Sequence, residues 1–277
     1  MKIKKIKAVY FSPAGSTERV VREIAFELSE KLKAGVEEID FTLPESRTET
    51  PYLFADNELV VFGVPTYAGR VPNKILPFIK TGFRGNGSPT VSVVTFGNRD
   101  YDSSLTELTE ELIACGFSVF GASAVACRHV FTDKVGYGRP DCEDFRGISR
   151  FTEYITGKIL EVVTPDELTM PLIRNGEAVK PYYVPLKEDG EPANFLKVKP
   201  ETDEDRCSGC GTCAKVCPMG SINPENTSEV TGVCMKCQAC VLKCPASAKY
   251  FSDEDLISHV KMIENNFAKR ADNEFFA

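Results

Sequence analysis

Eight of the chain's 11 cysteines fall between Cys207 and Cys244, in one pattern written twice. Residues 207–218 read Cys-Ser-Gly-Cys-Gly-Thr-Cys-Ala-Lys-Val-Cys-Pro, and residues 234–245 read Cys-Met-Lys-Cys-Gln-Ala-Cys-Val-Leu-Lys-Cys-Pro. Both are C-x2-C-x2-C-x3-C-P, and each cysteine of the first run recurs 27 positions later in the second. So short a stretch has little apolar material for a core, so what the cysteines bind must supply much of its folding energy. Structural zinc sites pair C-x2-C knuckles across a spacer or recruit histidine. Here three thiols come in one tight loop with a fourth before proline, and the only histidines are His129 and His259. The pattern therefore predicts iron–sulfur cubanes of the 4Fe–4S type rather than zinc.

In two-cluster proteins with this run, the fourth cysteine of each run ligates the other cluster. That rule assigns Cys207, Cys210, Cys213 and Cys244 to one 4Fe–4S cluster, and Cys217, Cys234, Cys237 and Cys240 to a second. Pro218 and Pro245 end the short helix after each fourth ligand, and Gly209 and Gly211 let backbone N–H groups approach sulfur. Cys115, Cys127 and Cys142 are widely spaced and read as thiols outside the clusters. The acidic stretch Glu201–Asp205 would disfavour added electrons, though only weakly where it is solvated.

No export signal is expected, because Met1–Lys7 is charged but no apolar stretch follows it. Dense cysteines in a reducing cytosol point to metal rather than to disulfides, so a cytoplasmic location is expected. No apolar run approaches the ~20 residues of a membrane span, so no membrane insertion is expected. The formal charge of −7 argues against nucleic acid as a partner.

The first 163 residues alternate strand and helix signals. Ile6–Phe11, Val36–Phe41, Leu59–Val64, Val91–Phe96 and Ser118–Cys127 read as strands. Ser16–Lys33 has Val20, Ile24, Leu28 and Leu32 at helical spacing; Ser103–Cys115 and Asp144–Val163 are further helices. Such alternation implies right-handed crossovers and a parallel sheet covered on both faces, with ligands at the carboxyl ends of the strands. Three loops lie there. Ser12-Pro13-Ala14-Gly15-Ser16-Thr17 opens a helix with small, hydroxyl-rich residues suited to a phosphate monoester. It lacks the Gly-Lys-Ser/Thr ending of a triphosphate loop. Pro65-Thr66-Tyr67-Ala68-Gly69 offers an aromatic face at its tip, and Gly97-Asn98-Arg99-Asp100-Tyr101-Asp102 a second.

These three segments resemble the phosphate loop and the two ring-flanking loops of the flavodoxin family, which binds FMN. The resemblance covers about residues 1–163 and implies a doubly wound five-stranded parallel sheet. It implies FMN contacts from Ser12, Ala14, Gly15, Ser16, Thr17, Pro65, Thr66, Tyr67, Ala68, Gly69, Gly97, Asn98, Tyr101 and Asp102. Tyr67 and Tyr101 would stack on the ring, and the backbone at Thr66, Ala68, Gly69, Gly97 and Asn98 would meet its edge. Ala14 departs from the usual threonine and removes one hydroxyl donor. Over nearly the whole chain the arrangement resembles flavodoxin–ferredoxin fusion proteins ("ferrodoxins"), typical of anaerobes.

That resemblance implies an α/β flavodoxin-like domain over 1–163 and a small α+β ferredoxin-like domain over 201–252. Between them the Pro-rich stretch 164–200, with Tyr182, Tyr183, Phe195 and Leu196, reads as an ordered connector. Leu256, Val260, Ile263 and Phe267 at helical spacing read as a C-terminal helix over 253–277. The expected function is an electron carrier moving one electron at a time between the two clusters and FMN. Two alternatives stand beside it, an FMN-dependent oxidoreductase acting on a small substrate and an iron–sulfur redox sensor. No G-x-G-x-x-G follows a strand, so nicotinamide binding is not indicated. The expected partners are low-potential redox proteins, which the acidic charge predicts to dock through a basic patch.

Overall fold

The computed structural model describes residues 1–277. Five strands form the parallel core of one sheet: β1 (Lys5–Tyr10), β2 (Gly35–Asp40), β3 (Glu58–Pro65), β4 (Pro89–Phe96) and β5 (Ser118–Ala126). Their spatial order is β2-β1-β3-β4-β5. That is the doubly wound order in which the winding reverses between β1 and β3, opening a crevice at the strands' carboxyl ends. β3 and β4 are buried nearly throughout because helices cover both of their faces. β2, at the edge, is mostly exposed.

Helix α1 (Ser16–Leu32) buries Val20, Ile24 and Leu28, and α4 (Cys142–Glu161) buries Ile148, Phe151, Ile155 and Ile159. These side chains pack together against one face of the sheet. The other face is covered by α2 (Leu76–Gly82) and α3 (Ser104–Ala114), through Ile79, Leu105, Leu108 and Leu112. The short α2 lies between the third and fourth predicted strands and escaped the sequence reading. Cys115 and Cys127 are buried in these two layers, and Cys142 is exposed at the start of α4.

The Pro-rich connector is bonded to the N-terminal unit and to residues 258 and 259 near the C-terminus. Arg174 donates to the Tyr101 hydroxyl (2.8 Å) and to Asp100 (2.9 Å). The Tyr183 N–H reaches the Ala68 carbonyl at 2.8 Å. Further on, the Glu188 N–H bonds to Ser258 and the Leu186 carbonyl lies 2.8 Å from His259 Nδ1.

The cysteine-rich segment has two four-residue helices, α5 (Thr212–Lys215) and α6 (Ala239–Leu242), and a strand pair, Glu201–Thr202 with Lys249–Tyr250. Its buried apolar set is small: Cys213, Ile222, Cys237, Ala239, Cys240 and Ala248. The sequence repeat is also a backbone repeat. Gly209, Gly211 and Gly220 have φ of 66°, 72° and 58°, and their counterparts Lys236, Gln238 and Ser247 have 57°, 62° and 49°. The second run thus holds non-glycine residues in the left-handed region that the first assigns to glycine.

Helix α7 (Glu254–Asn266) begins on an Asp253 cap and buries Leu256, Met262 and Ile263. The predicted C-terminal helix ends there. The last residues return to the N-terminal sheet, where β6 (Glu274–Phe276) pairs antiparallel with β5. The sheet is therefore six-stranded, five parallel strands with one antiparallel edge. Phe275 seats its ring beside Phe151, 5.2 Å between centroids, where Gly147 leaves room for it.

Candidate redox centres

The first loop bends at Gly15, which has φ 90° and open space in front of its α-carbon. The N–H groups of Ser16 and Thr17 have no hydrogen-bond partner within the chain, and α1 places its positive dipole end behind them. Two of the three expected hydroxyls are turned inward. Ser12 Oγ accepts the Glu18 N–H (2.9 Å), and Thr17 Oγ1 pairs with Thr95 Oγ1 (2.7 Å) beneath the loop. Ser16, half-buried, makes no side-chain hydrogen bond within the chain, so the donor set is backbone N–H groups with one side chain. That set fits a phosphate monoester through N–H groups and dipole, without help from Lys or Arg.

The second loop is a tight hairpin. Tyr67 and Arg70 exchange backbone hydrogen bonds of 2.9 and 3.1 Å, with Ala68 and Gly69 at φ 49° and 74°. A β-carbon on Gly69 would lie 2.3 Å from Asp102 Oδ2, so the second and third loops interlock where only glycine fits. The Ser103 N–H donates to the Gly69 carbonyl at 3.0 Å, and Thr66 Oγ1 lies 2.6 Å from Ser104 Oγ. Tyr67 remains half-buried at the tip. Pro65 ends β3 and hands the chain to this hairpin.

The third loop departs from expectation at two residues. Tyr101 is only 1% exposed, its hydroxyl bonds to Glu274 (2.7 Å), and the Arg174 guanidinium sits 3.7 Å from its ring centre. It is a packed residue joining loop, connector and tail, and has no face free for a ligand ring. Asn98 is 2% exposed, and its amide donates to the Phe267 and Lys269 carbonyls at 2.8 and 2.9 Å. Its side chain holds the tail, with only its backbone left for a ligand. Tyr183 of the connector also lies against this loop, with Arg99 4.0 Å from its ring centre. Nothing in the sequence pairs a connector tyrosine with this loop. Gly97 packs against His129, whose ring burial holds the imidazole pKa down at about 4.

In the cysteine-rich unit, Cys217, Cys234, Cys237 and Cys240 line one apolar cavity together with Ile222 and Met235. Cys217 thus leaves its own run to join three thiols of the other. Cys244, from the second run, is within electrostatic reach of Cys210 in the first. Burial pushes the Cys237 and Cys240 thiols up to about 12, and the neighbouring thiols add to it. Coordinated iron would draw those protons off. No three His, Cys, Asp or Glu side chains gather as a single metal ion requires.

Amide donors reach the sulfurs: Ser221 N–H to Cys217 (3.4 Å) and Ala248 N–H to Cys244 (3.2 Å). The Thr212 hydroxyl lies 3.3 Å from Cys210. Such contacts raise cluster potentials by stabilising negative charge on sulfur. Lys249, 3% exposed, bonds to the Thr202 hydroxyl and the Thr227 carbonyl, both at 2.5 Å. It is a buried cation with neutral partners close to Cys240, and sequence spacing carried no sign of it.

The two units meet at the Tyr67 loop. Burial pushes the Tyr67 hydroxyl well above its ordinary value, and the charges of Cys237 and Cys234 add to the shift. Arg47 donates to the carbonyl of Pro218, the residue after Cys217.

Residues 200–223 and 231–248 each match a family of 4Fe-4S binding domains. No curated protein sequence matches the chain. Among solved structures, it resembles a flavodoxin from the domain Archaea, at 16% identity and TM-score 0.39, covering 57% of this chain and 99% of that one. A flavodoxin from Streptococcus pneumoniae TIGR4 gives 17% and 0.40, covering 56% and 99%. Rubredoxin oxygen:oxidoreductase from the anaerobe Desulfovibrio gigas gives 18% and 0.39, covering 58% of this chain and 38% of that one. No helix is long and apolar enough to cross a membrane. The strand order β2-β1-β3-β4-β5 and the two matched segments together make the chain a doubly wound, flavodoxin-like α/β unit followed by two segments similar to 4Fe-4S binding domains.

Proposed function

We propose that this protein relays single electrons between two 4Fe–4S clusters and an FMN held at the carboxyl end of its sheet. The observation that carries the reading is the seating of the loop bearing Cys234 and Cys237 on the sheet, where Met235 packs against the α2/α3 layer and the two thiols lie within charge range of Tyr67. When bound, the clusters supply one-electron exchange and FMN the capacity for one or two. The chain's own residues then bind, orient and insulate. Ser16 and the N–H groups of Ser16 and Thr17 hold the phosphate. Tyr67 offers an aromatic face, and the backbone from Thr66 to Gly69 and at Gly97 and Asn98 borders the ring. Cys207, Cys210, Cys213 and Cys244 hold one cluster, and Cys217, Cys234, Cys237 and Cys240 the other. Cytoplasmic redox proteins with a basic docking patch are the proposed partners.

The small-substrate oxidoreductase reading is less well supported. The polar groups it would use in the third loop are tied up: Arg99 pairs with Asp102, and Arg174 with Asp100. The test is anaerobic purification with iron and flavin counts. We expect about eight iron atoms, four for each cluster, and one FMN per chain, with both centre types reduced by a low-potential ferredoxin. Zinc in place of iron, or protein that takes up no FMN, would refute the relay.

A further inference from the structure

We infer, building on the relay reading, that the two cluster sites are unequal. Cys217, Cys234, Cys237 and Cys240 form the inward site, clamped against the flavodoxin-like unit, while Cys207, Cys210, Cys213 and Cys244 form the outward site, where a low-potential one-electron carrier protein exchanges electrons.

The inward assignment rests on contacts made by the residues between and beside these ligands. Met235, between Cys234 and Cys237, packs against the α2/α3 core layer of the N-terminal sheet. Pro218, following Cys217, accepts a hydrogen bond from Arg47, whose guanidinium also holds the Phe41 and Thr42 carbonyls at 3.1 and 2.7 Å. A β-carbon on Gly220 would lie 3.6 Å from Pro44. Lys236 donates to the Leu196 carbonyl in the connector. Four contacts from three stretches of chain thus fix one ligand set to the flavodoxin-like unit and its connector.

The other set makes no such contacts through its loop. Between Cys207 and Cys210 the hydrogen bonds are local: Cys207 N–H to the Asp203 carbonyl at 3.0 Å, and Cys210 Sγ with Thr212. Cys210 is exposed, whereas Cys237, its counterpart in the repeat, is buried. Ser208 and Gly209 are exposed beside it. Tunnelling rates fall exponentially with distance, so an external carrier exchanges fastest with the site nearest the surface. Each exchange moves one electron and makes or breaks no bond: the carrier is oxidised by one and the outward centre reduced by one, or the reverse.

The holoprotein itself provides the test. Anaerobic full-length protein is treated with bathophenanthroline, quenched at intervals and alkylated, and the labelled cysteines are mapped by mass spectrometry alongside amide exchange. We expect iron to leave in two phases. First-phase label falls on Cys207, Cys210, Cys213 and Cys244, while amides at 45–47 and 66–71 keep their protection. Those amides loosen only in the second phase, together with label on Cys217, Cys234, Cys237 and Cys240. Met235→Ala should hasten the second phase and leave the first unchanged. Label appearing on the Cys217 set first, or on all eight cysteines in a single phase, overturns the assignment yet leaves the relay standing. Protein that binds no iron–sulfur clusters overturns both.

Discussion

Arg139→Met isolates what holds the C-terminal tail, and with it the third loop of the proposed flavin site. Arg139 is 6% exposed and Asp144 1%. Its guanidinium donates to Asp144 at 3.2 and 2.6 Å, to Asn98 Oδ1 at 2.9 Å, to the Ala271 carbonyl at 2.7 Å and to Asn273 at 3.1 Å. Removing one partner of a buried ion pair costs about 3–5 kcal/mol, because the remaining charge stays desolvated. Asp144 keeps Arg270 at 2.8 Å and Asn273 at 2.8 Å, which points to the lower end of that range. A loss of about 3 kcal/mol, at a urea m-value of about 3 kcal/mol/M, lowers the midpoint by roughly 1 M. The assay is urea unfolding of the sheet followed by far-UV circular dichroism, with amide exchange at 271–276 as the local readout. Arg270→Met is the control. Its side chain is 38% exposed, and such pairs contribute about 0–1 kcal/mol. Equal shifts from the two variants, or an unmoved midpoint for Arg139→Met, would refute the argument that burial sets the size of the effect.

Four further outcomes follow from particular residues. Ser247→Gly should stabilise the holoprotein and Gly220→Ala should destabilise it, each by about 1 kcal/mol, because both positions are left-handed, with φ of 49° and 58°. Anaerobic thermal melts read both, and shifts of like sign would contradict the repeat argument. Lys249→Met should lower the potential of the centre near Cys240, since losing a buried positive charge disfavours added negative charge; an EPR-monitored redox titration reads the sign. Burial holds His129 down at about 4 from an ordinary 6.5, so the unfolded chain takes up that proton first on acidification. The contribution of neutral His129 is therefore complete above about 6.5 and lost progressively towards 4, and in His129→Gln that part of the pH–stability slope should disappear. Complete iron removal should abolish amide protection over 201–250 while β1 to β5 stay protected; retained protection there would show that the small unit folds without metal.

The parallel sheet was legible because its central strands are buried on both faces and its helices carry apolar residues every third or fourth position. Val20, Ile24 and Leu28 have no use in α1 other than facing the sheet. β6 was not legible: Glu274-Phe275-Phe276 is too short to show a period, and it becomes a strand only because β5 offers an open edge. Tyr101 shows the same limit at the site. A loop aromatic looks the same in sequence whether it faces a ligand or a guanidinium 73 residues away, and here it meets Arg174. The cysteine pattern was readable because ligand spacing is itself the local geometry. What it could not reveal is the asymmetry of the two runs, since Met235 and Pro218 acquire their roles only from the surface they press against.

That asymmetry gives the connector and the tail a common purpose. Interfaces between domains of one chain are ordinarily mobile, and a relay needs the opposite, because its rate depends steeply on the gap between centres. This chain ties its parts together with two tethers. The connector bonds to the Tyr67 hairpin through Tyr183, to the third loop through Arg174, and to α7 at Ser258 and His259. The tail returns through Asn98 and pairs with β5, so the cysteine-rich unit is tethered at both of its ends. Tyr101 links the two tethers, bonded at once to Arg174 of the connector and Glu274 of β6. Tyr101, one of the two residues that the sequence suggests for stacking on a flavin, is instead the one that keeps the two tethers in register.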